Sequence, residues 1–202
     1  MGDPGHQRLV QKPELLKLAQ KSGCVGVLIG FESLSQDSLR EADKSYKVRE
    51  YADIIQKLHD HGIGVEGTFI FGFDHDDDGV FERTVAFCER TRLNVAQFSV
   101  LTPLPGTQLF ERFRAEGRLL YEPWNNYRLW SMFNLFDVVI RPRRMSPERL
   151  AEGLRWAYRT FYSFPSLVRR FSHHIWRQSP RDTLVTWTLN WGFRHLQAPV
   201  VC

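Results

Sequence analysis

Gly62 to Thr84 reads GIGVEGTFIFGFDHDDDGVFERT, and the alternation inside it decides the fold. Over Ile63 to Phe71, Val65, Phe69 and Phe71 fall on one side of an extended chain and Glu66, Thr68 and Ile70 on the other, because successive strand side chains point to opposite faces. The strand runs into Gly72-Phe73, an acidic loop, and then Val80, Phe81, Thr84, Val85, Phe87 and Cys88 at helical spacing. The same rhythm flanks it. Upstream, Cys24 to Phe31 puts Val25, Val27, Ile29 and Phe31 on one face and Gly26, Leu28, Gly30 and Glu32 on the other. Downstream, Leu93 to Leu101 sets Ala96, Phe98 and Val100 against Gln97 and Ser99. Between the first two strands, Val48, Tyr51, Ile54, Ile55 and Leu58 make a helical stripe that stops at Gly62. Strands alternating with helices predict parallel βαβ units and an α/β fold. A flat doubly wound sheet is usually apolar on both faces. Polar groups opposite each helix-covering face therefore favour a barrel or part-barrel lumen, with its site at the strands' carboxyl ends.

The 202 residues suffice for one core with an appendage. Pro13 to Lys21 is expected to form a short helix with Leu15, Leu16 and Leu18 as its apolar side, and Ser35 to cap a second within Ser33 to Glu41. After the third strand, the prolines and glycine of PLPGT force a turn before a helix over Thr107 to Glu116. Phe136 to Ile140 reads as a strand. Ser146-Pro147-Glu148 is a helix start, and Leu150, Leu154, Ala157, Tyr158 and Phe161 supply its apolar stripe. Two further helices are expected over Pro165 to Trp176 and Pro180 to Leu196. Residues 1–140 hold 16 Lys+Arg and 20 Asp+Glu, a net of −4, whereas 141–202 hold 11 Arg, no Lys and 3 acids, a net of +8. The expected organisation is a barrel part over 1–120 and a mainly helical, Arg- and aromatic-rich extension over 121–202. No apolar run reaches the roughly 18 to 20 residues of a membrane span, and the first residues lack a signal-peptide pattern, so a cytoplasmic setting is expected.

Asp74, Asp76, Asp78 and Gly79 imitate the opening of a calcium loop. Position twelve is Val85 instead of a bidentate Glu, and a strand rather than a helix enters, so a solvated loop is the expectation. His59-x-His61 and His173-His174 lack a third ligand and read as surface or helix-end histidines. Cys24, Cys88 and Cys202 make neither a disulfide framework nor a metal cluster. Glu32 and Glu66 project from adjacent strands into the polar face. There they can bind hydroxyls or amino groups, stand as structural hydrogen-bonded residues, or act as the paired carboxylates of a barrel hydrolase. The Arg-rich third, interleaved with Trp156, Trp176, Trp187 and Trp191, leaves open a non-catalytic role at a membrane surface or on nucleic acid; against both, the Ser146 helix has enough apolar positions to dock on the barrel with its arginines as a solvated face.

Taken in order, GFES, ADKSY, GTFIFGF and LTPLPGT resemble the second half of a radical S-adenosylmethionine (SAM) enzyme. The likeness is strongest to the class with an upstream cobalamin-binding domain, and it covers Pro13 to Leu120. RPRRMSPERLAEGLRWAYRTFYS resembles the carboxyl-terminal extension of such proteins. The resemblance implies the carboxyl-terminal half of a partial, TIM-like (β/α)6 barrel, with SAM lying across the strand ends. It puts Glu32 near the ribose hydroxyls with Ser33 beside it, and Lys44 at the SAM carboxylate. Thr68, Ile70 and Gly72 pass the adenine, next to Leu101, Thr102 and Pro103. The family's C-x-x-x-C-x-x-C loop for a four-iron, four-sulfur (4Fe-4S) cluster does not occur in this sequence. The implication is a fragment, a truncated product or one half of a split enzyme, whose cluster and cobalamin belong to an upstream half and which does not cleave SAM by itself. The full form would do SAM-dependent radical chemistry or cobalamin-dependent methyl transfer on a small-molecule substrate that these residues leave undefined.

Overall fold

A computed structural model describes residue 10 and residues 12–42, 44, 47–122, 126–174 and 180–196. Among them, α1 (Pro13–Lys21) leads into β1 (Gly26–Glu32), α2 (Gln36–Glu41), a 3-10 turn at Val48–Glu50, α3 (Tyr51–Asp60), β2 (Gly64–Phe71), α4 (Val80–Arg90), β3 (Val95–Val100) and α5 (Gln108–Ala115). The extension adds a 3-10 segment at Tyr127–Met132, then α6 (Pro147–Phe161), α7 (Phe164–His174) and α8 (Pro180–Leu196). The three strands form a parallel sheet in the order β1-β2-β3. The fold is therefore α/β, as the alternation predicts.

The two faces of the sheet differ as the period-two pattern requires. Val65, Phe69, Phe71, Phe98 and Val100 are buried under the helices, while Glu66, Thr68, Ile70, Gln97 and Ser99 are half-buried on the opposite face. Phe31, Phe69 and Phe98 run across the strands as a ladder, with ring centroids 5.6 Å and 6.1 Å apart, and offset rings at such spacings add to the burial gain. In α1, Leu16 is buried but Leu18 points to solvent, so its apolar side is narrower than its leucines imply. Phe136 to Ile140 is not a strand. It contributes one antiparallel bridge, Leu119 to Ile140, because Asn134 ties down the Phe136 and Asp137 amides in a turn.

The outer edge of β3 is closed by side chains. Tyr158 donates its hydroxyl to the Phe98 carbonyl at 2.8 Å and accepts the Phe98 N–H at 3.1 Å; Tyr162 does the same at Ala96, at 2.8 and 3.3 Å. Four residues of helix rise about 6 Å and two residues of strand about 6.6 Å. Tyr-x-x-x-Tyr, from the last turn of α6 to the residue that caps it, therefore matches alternate residues of a strand lying beside it. Glycine at 153 brings α6 close, since a Cβ there would collide with the Phe81 ring.

At the amino end of β3, Arg170 of α7 is 2% exposed. It donates to the carbonyls of Leu93, Asn94 and Phe161 and to Asn190 Oδ1, and its guanidinium lies 3.7 Å from the Phe161 ring centre. Burial lowers its pKa to about 10. Asn94 accepts the Val65 N–H and meets His59 Nε2 at 3.0 Å, so His59 is a buried structural histidine and not a surface one. The side chains of His173 and His174, and all of Trp176 and Cys202, lie outside the described residues. The core includes Leu150, Leu154, Ala157 and Phe161 of the extension together with the sheet's own apolar face.

The acidic loop is solvated only in part, since His75, Asp77 and Asp78 are exposed but Asp74 and Asp76 are drawn into the fold. Asp76 is 2% exposed; its Oδ2 accepts the N–H groups of Gly72 and Phe73, and its Oδ1 accepts the Ser38 hydroxyl. Burial pushes its pKa up to about 6. Asp74 sits in a ring of ion pairs with Arg118 at 2.7 Å and Arg143 at 2.8 Å, and both arginines also reach Glu116, at 3.1 and 3.0 Å. Burial alone would raise the Asp74 carboxyl, but the hydrogen bonds and charges of Arg118 and Arg143 outweigh it and hold it below the usual range. The loop thereby ties the carboxyl end of β2 to the extension.

Two measurements check this reading. Tyr158→Phe is expected to lower the unfolding free energy by about 1 to 3 kcal/mol and to speed amide exchange at Phe98 before Ala96, with Tyr162→Phe showing the reverse order; identical exchange in the two variants would contradict the edge assignment. Because the folded pKa of Asp76 lies above its ordinary 3.8, its contribution to stability is full below pH 3.8 and is lost as pH rises through about 6. Asp76→Asn keeps the same acceptor for the two backbone donors and is expected to flatten the stability slope over that window in urea titrations; an unchanged slope would assign the pH dependence elsewhere.

Candidate functional site

A group of polar side chains lies at the carboxyl end of β1 and β2, on the face away from the helices. β1 ends in a bulge, its register with β2 shifting between Gly30 and Glu32. Glu32 has φ +62°, a conformation L-residues adopt at a cost of roughly 1 to 2 kcal/mol. The Ser33 N–H closes back on the Phe31 carbonyl at 2.7 Å, the hydrogen bond of a γ-turn centred on Glu32. Tyr51 donates to that same carbonyl at 2.8 Å, so α3 pins the turn from the core side. The strain brings the Glu32 carboxylate back over Gly30, where a Cβ would lie 2.6 Å from Oε1 and 3.6 Å from Thr68 Oγ1. Glycine at 30 thus leaves room for the carboxylate to lie over the strand, and a side chain there would displace the movable end of Glu32.

Lys44 Nζ meets Glu32 Oε1 at 3.0 Å, with the two side chains 27% and 14% exposed. The structure therefore brings together Glu32, Lys44 and Thr68. One row further from the strand ends, Gln97 Nε2 donates to Glu66 Oε1 at 2.6 Å. Glu66 and Glu32 each have a partner of their own, a geometry that gives the paired-carboxylate hydrolase reading no support.

The remaining predicted residues divide. Ile70 packs on the second apolar cluster, which contains Leu101, Phe73 and Phe110, and Pro103 is buried next to them in sequence. Gly72 has φ +102° and its N–H is held by Asp76; a Cβ there would point at Leu150, on the helix side of the sheet. Ser33 is 4% exposed and its hydroxyl accepts the Ser35 N–H, while the Thr102 hydroxyl donates to the Val100 carbonyl, so both are spent on local turns. Sequence reasoning missed Asp76 as the clamp on Gly72. The signal is the four-residue step from the turn glycine to the acid.

Among the described residues, no group of three His, Cys, Asp or Glu side chains is arranged to hold a metal ion. Cys88 is fully buried in the core, and burial pushes its thiol pKa far above the ordinary value. Cys24 is half-buried near the Gly26 carbonyl. No described helix is long and apolar enough to cross a membrane.

No family model matches the chain. Individual relatives do. The chain is 35% identical over 162 residues to bacteriochlorophyllide d C-12(1)-methyltransferase of Chlorobaculum tepidum, a match covering 80% of this chain and 34% of that protein. It is 26% identical over 163 residues to bacteriochlorophyllide d C-8(2)-methyltransferase of the same organism, over 80% of this chain and 35% of the relative. It is 28% identical over 164 residues to the anaerobic magnesium-protoporphyrin IX monomethyl ester cyclase of Cereibacter sphaeroides, over 81% of this chain and 25% of the cyclase. The chain thus spans a quarter to about a third of the length of these curated relatives. All three are radical SAM family members, and along that stretch this chain resembles them.

Proposed function

We propose that this chain forms the part of a radical SAM methyltransferase groove that receives the ribose, carboxylate and adenine of SAM. The observation that carries the reading is the Glu32–Lys44 pair laid over Gly30 beside Thr68 at the carboxyl end of the sheet. SAM needs both signs there. A carboxylate accepts from the ribose diol, and an ammonium pairs with the methionine carboxylate. Ile70 and Leu101, with the backbone at Gly72, Thr102 and Pro103, offer the adenine an apolar wall flanked by main-chain polar groups. In the absence of ligand the two charges neutralise each other, and binding exchanges one ion pair for two charge-assisted contacts. Bound in this way, SAM supplies methyl-transfer or radical chemistry; the residues of this chain orient it and hold its charges.

The sheet is proposed to be three strands of a (β/α)6 partial barrel. Tyr158 and Tyr162 occupy the outer edge of β3, so further strands of a longer protein add at β1, where Leu28 is 51% exposed. The 4Fe-4S cluster and any cobalamin fit no cysteine or histidine constellation among the described residues, and we place them in that further part. The substrate class follows from likeness alone: the three relatives above are named for bacteriochlorophyllide and magnesium-protoporphyrin, which are cyclic tetrapyrroles, and the same class is proposed here.

Calorimetric titration of the chain with S-adenosylhomocysteine is expected to show binding that Lys44→Ala and Glu32→Gln each weaken by roughly tenfold, the range of a lost charged hydrogen bond. Arg155→Ala, on the far side of α6, is expected to leave it unchanged. Equal affinity in the parent and both groove variants, with circular dichroism unaltered, would overturn the assignment.

A further inference from the structure

Helix α8 carries apolar residues on both of its sides. Its inward side combines Trp187 and Phe193, which pack on the core, with the polar Asn190, which is fully buried and donates to the carbonyls of Asn94 and Thr186, and Thr186, which is 7% exposed. Its outward positions are apolar, with Leu184, Val185, Leu189 and Trp191 exposed at 63, 41, 46 and 48%. At 100° per residue, Leu184, Val185, Thr188, Leu189, Trp191 and Gly192 share one face of the helix. No charged residue occurs from Thr183 to Phe193; Arg181-Asp182 and Arg194 bound the run. The neighbouring helix α7, which meets α8 through the Phe171–Trp187 ring contact, also turns Phe164, Val168 and Arg169 outward.

A soluble helix places its apolar stripe on the core, and an exposed apolar face of this kind marks an interaction surface. The charge of the surrounding chain says which kind. Residues 141–202 carry a net of +8 made entirely of arginine, and Arg155, Arg159 and Arg194 are exposed. Arg143, Arg149 and Arg170 already serve acids or carbonyls within the fold. An uncharged face of Leu, Val and Trp in a cationic setting suits an anionic bilayer surface, where the apolar residues enter the headgroup boundary and arginines reach the phosphates. Nucleic acid would call for the arginines on the exposed face itself, which is where the leucines are.

We propose that α8, with the outer side of α7, seats this chain on an anionic membrane surface as an interfacial, non-spanning helix. This inference does not depend on the SAM reading.

Flotation of the 202-residue chain with vesicles of phosphatidylcholine and phosphatidylglycerol in equal parts, against phosphatidylcholine alone, tests it. The chain is expected to rise with the anionic vesicles, to remain below with the neutral ones, and to be released by added salt. Leu184→Gln combined with Leu189→Gln alters only exposed positions, so circular dichroism is expected to stay constant while the vesicle-bound fraction falls at least about tenfold. Absence of flotation, or equal flotation of parent and double variant, overturns the proposal. If the double variant instead converts a self-associated species to monomer in light scattering with no vesicle effect, the face belongs to a second copy and the lipid assignment is wrong.

Discussion

The amides and carbonyls of Ala96 and Phe98 have no strand to bond to on their outer side, and two phenols at the end of one helix stand in for it. An unpaired strand edge is a template for uncontrolled association. Closing it with side chains requires α6 to lie at one height and one rotation against β3, with glycine at 153 where the Phe81 ring abuts. That constraint orients the rest. α6 completes the aromatic side of the sheet through Tyr158 and Phe161 against Phe98, and α7 follows, inserting Arg170 at the amino end of the strand. With one face and one edge filled, the polar face is left as the side on which chemistry can collect.

The carboxyl ends of the strands are held by a second device, charge in place of packing. Asp76 fixes Gly72 and Phe73, and one residue away from that turn Asp74 joins Arg118, Arg143 and Glu116 in a closed ring. Loops that carry binding groups are usually the least stable part of an α/β fold. Here the loop after β2 is anchored at both the sheet and the extension, while the strained turn at Glu32 is anchored by Tyr51. A groove whose walls are fixed before a ligand arrives loses less on binding, which is the physical link between these anchors and the proposed SAM contacts.

Much of this was legible in the residues. The alternation in β2 and β3 gave the faces of the sheet correctly, since a strand's period is set by its backbone and survives any tertiary context. Ser35, Thr107 and Ser146 cap helices as their side-chain chemistry demands. What failed was whatever depends on a distant partner. Composition alone makes the four aspartates of the loop look solvated, which holds for Asp77 and Asp78, whereas Ser38 draws in Asp76 and Arg118 and Arg143 draw in Asp74. His59 is the helix-end residue it looks like, but Asn94 meets it in the core, so it is not a surface one. The bulge at Glu32 shifts a register that parity alone treats as regular, and it moves the carboxylate over Gly30. The arginines of the extension are alike in sequence, although Arg170 is in the core and Arg143 and Arg149 are paired with acids. In α8 the sequence pattern is weak because Thr186 and Asn190 share the inward side with Trp187 and Phe193 while leucines face outward.

The account stands or falls on which face of the sheet meets the nucleoside of SAM. Backbone amide shifts of isotopically labelled chain, followed by nuclear magnetic resonance during titration with S-adenosylhomocysteine, read this directly. The account predicts perturbations concentrated at Gly30, Glu32, Lys44, Thr68 and the backbone from Leu101 to Thr102, with Phe87, Tyr158 and Phe161 unmoved. Shifts confined to the helix-covered side or to the extension, with Gly30 and Thr68 silent at saturation, would contradict it.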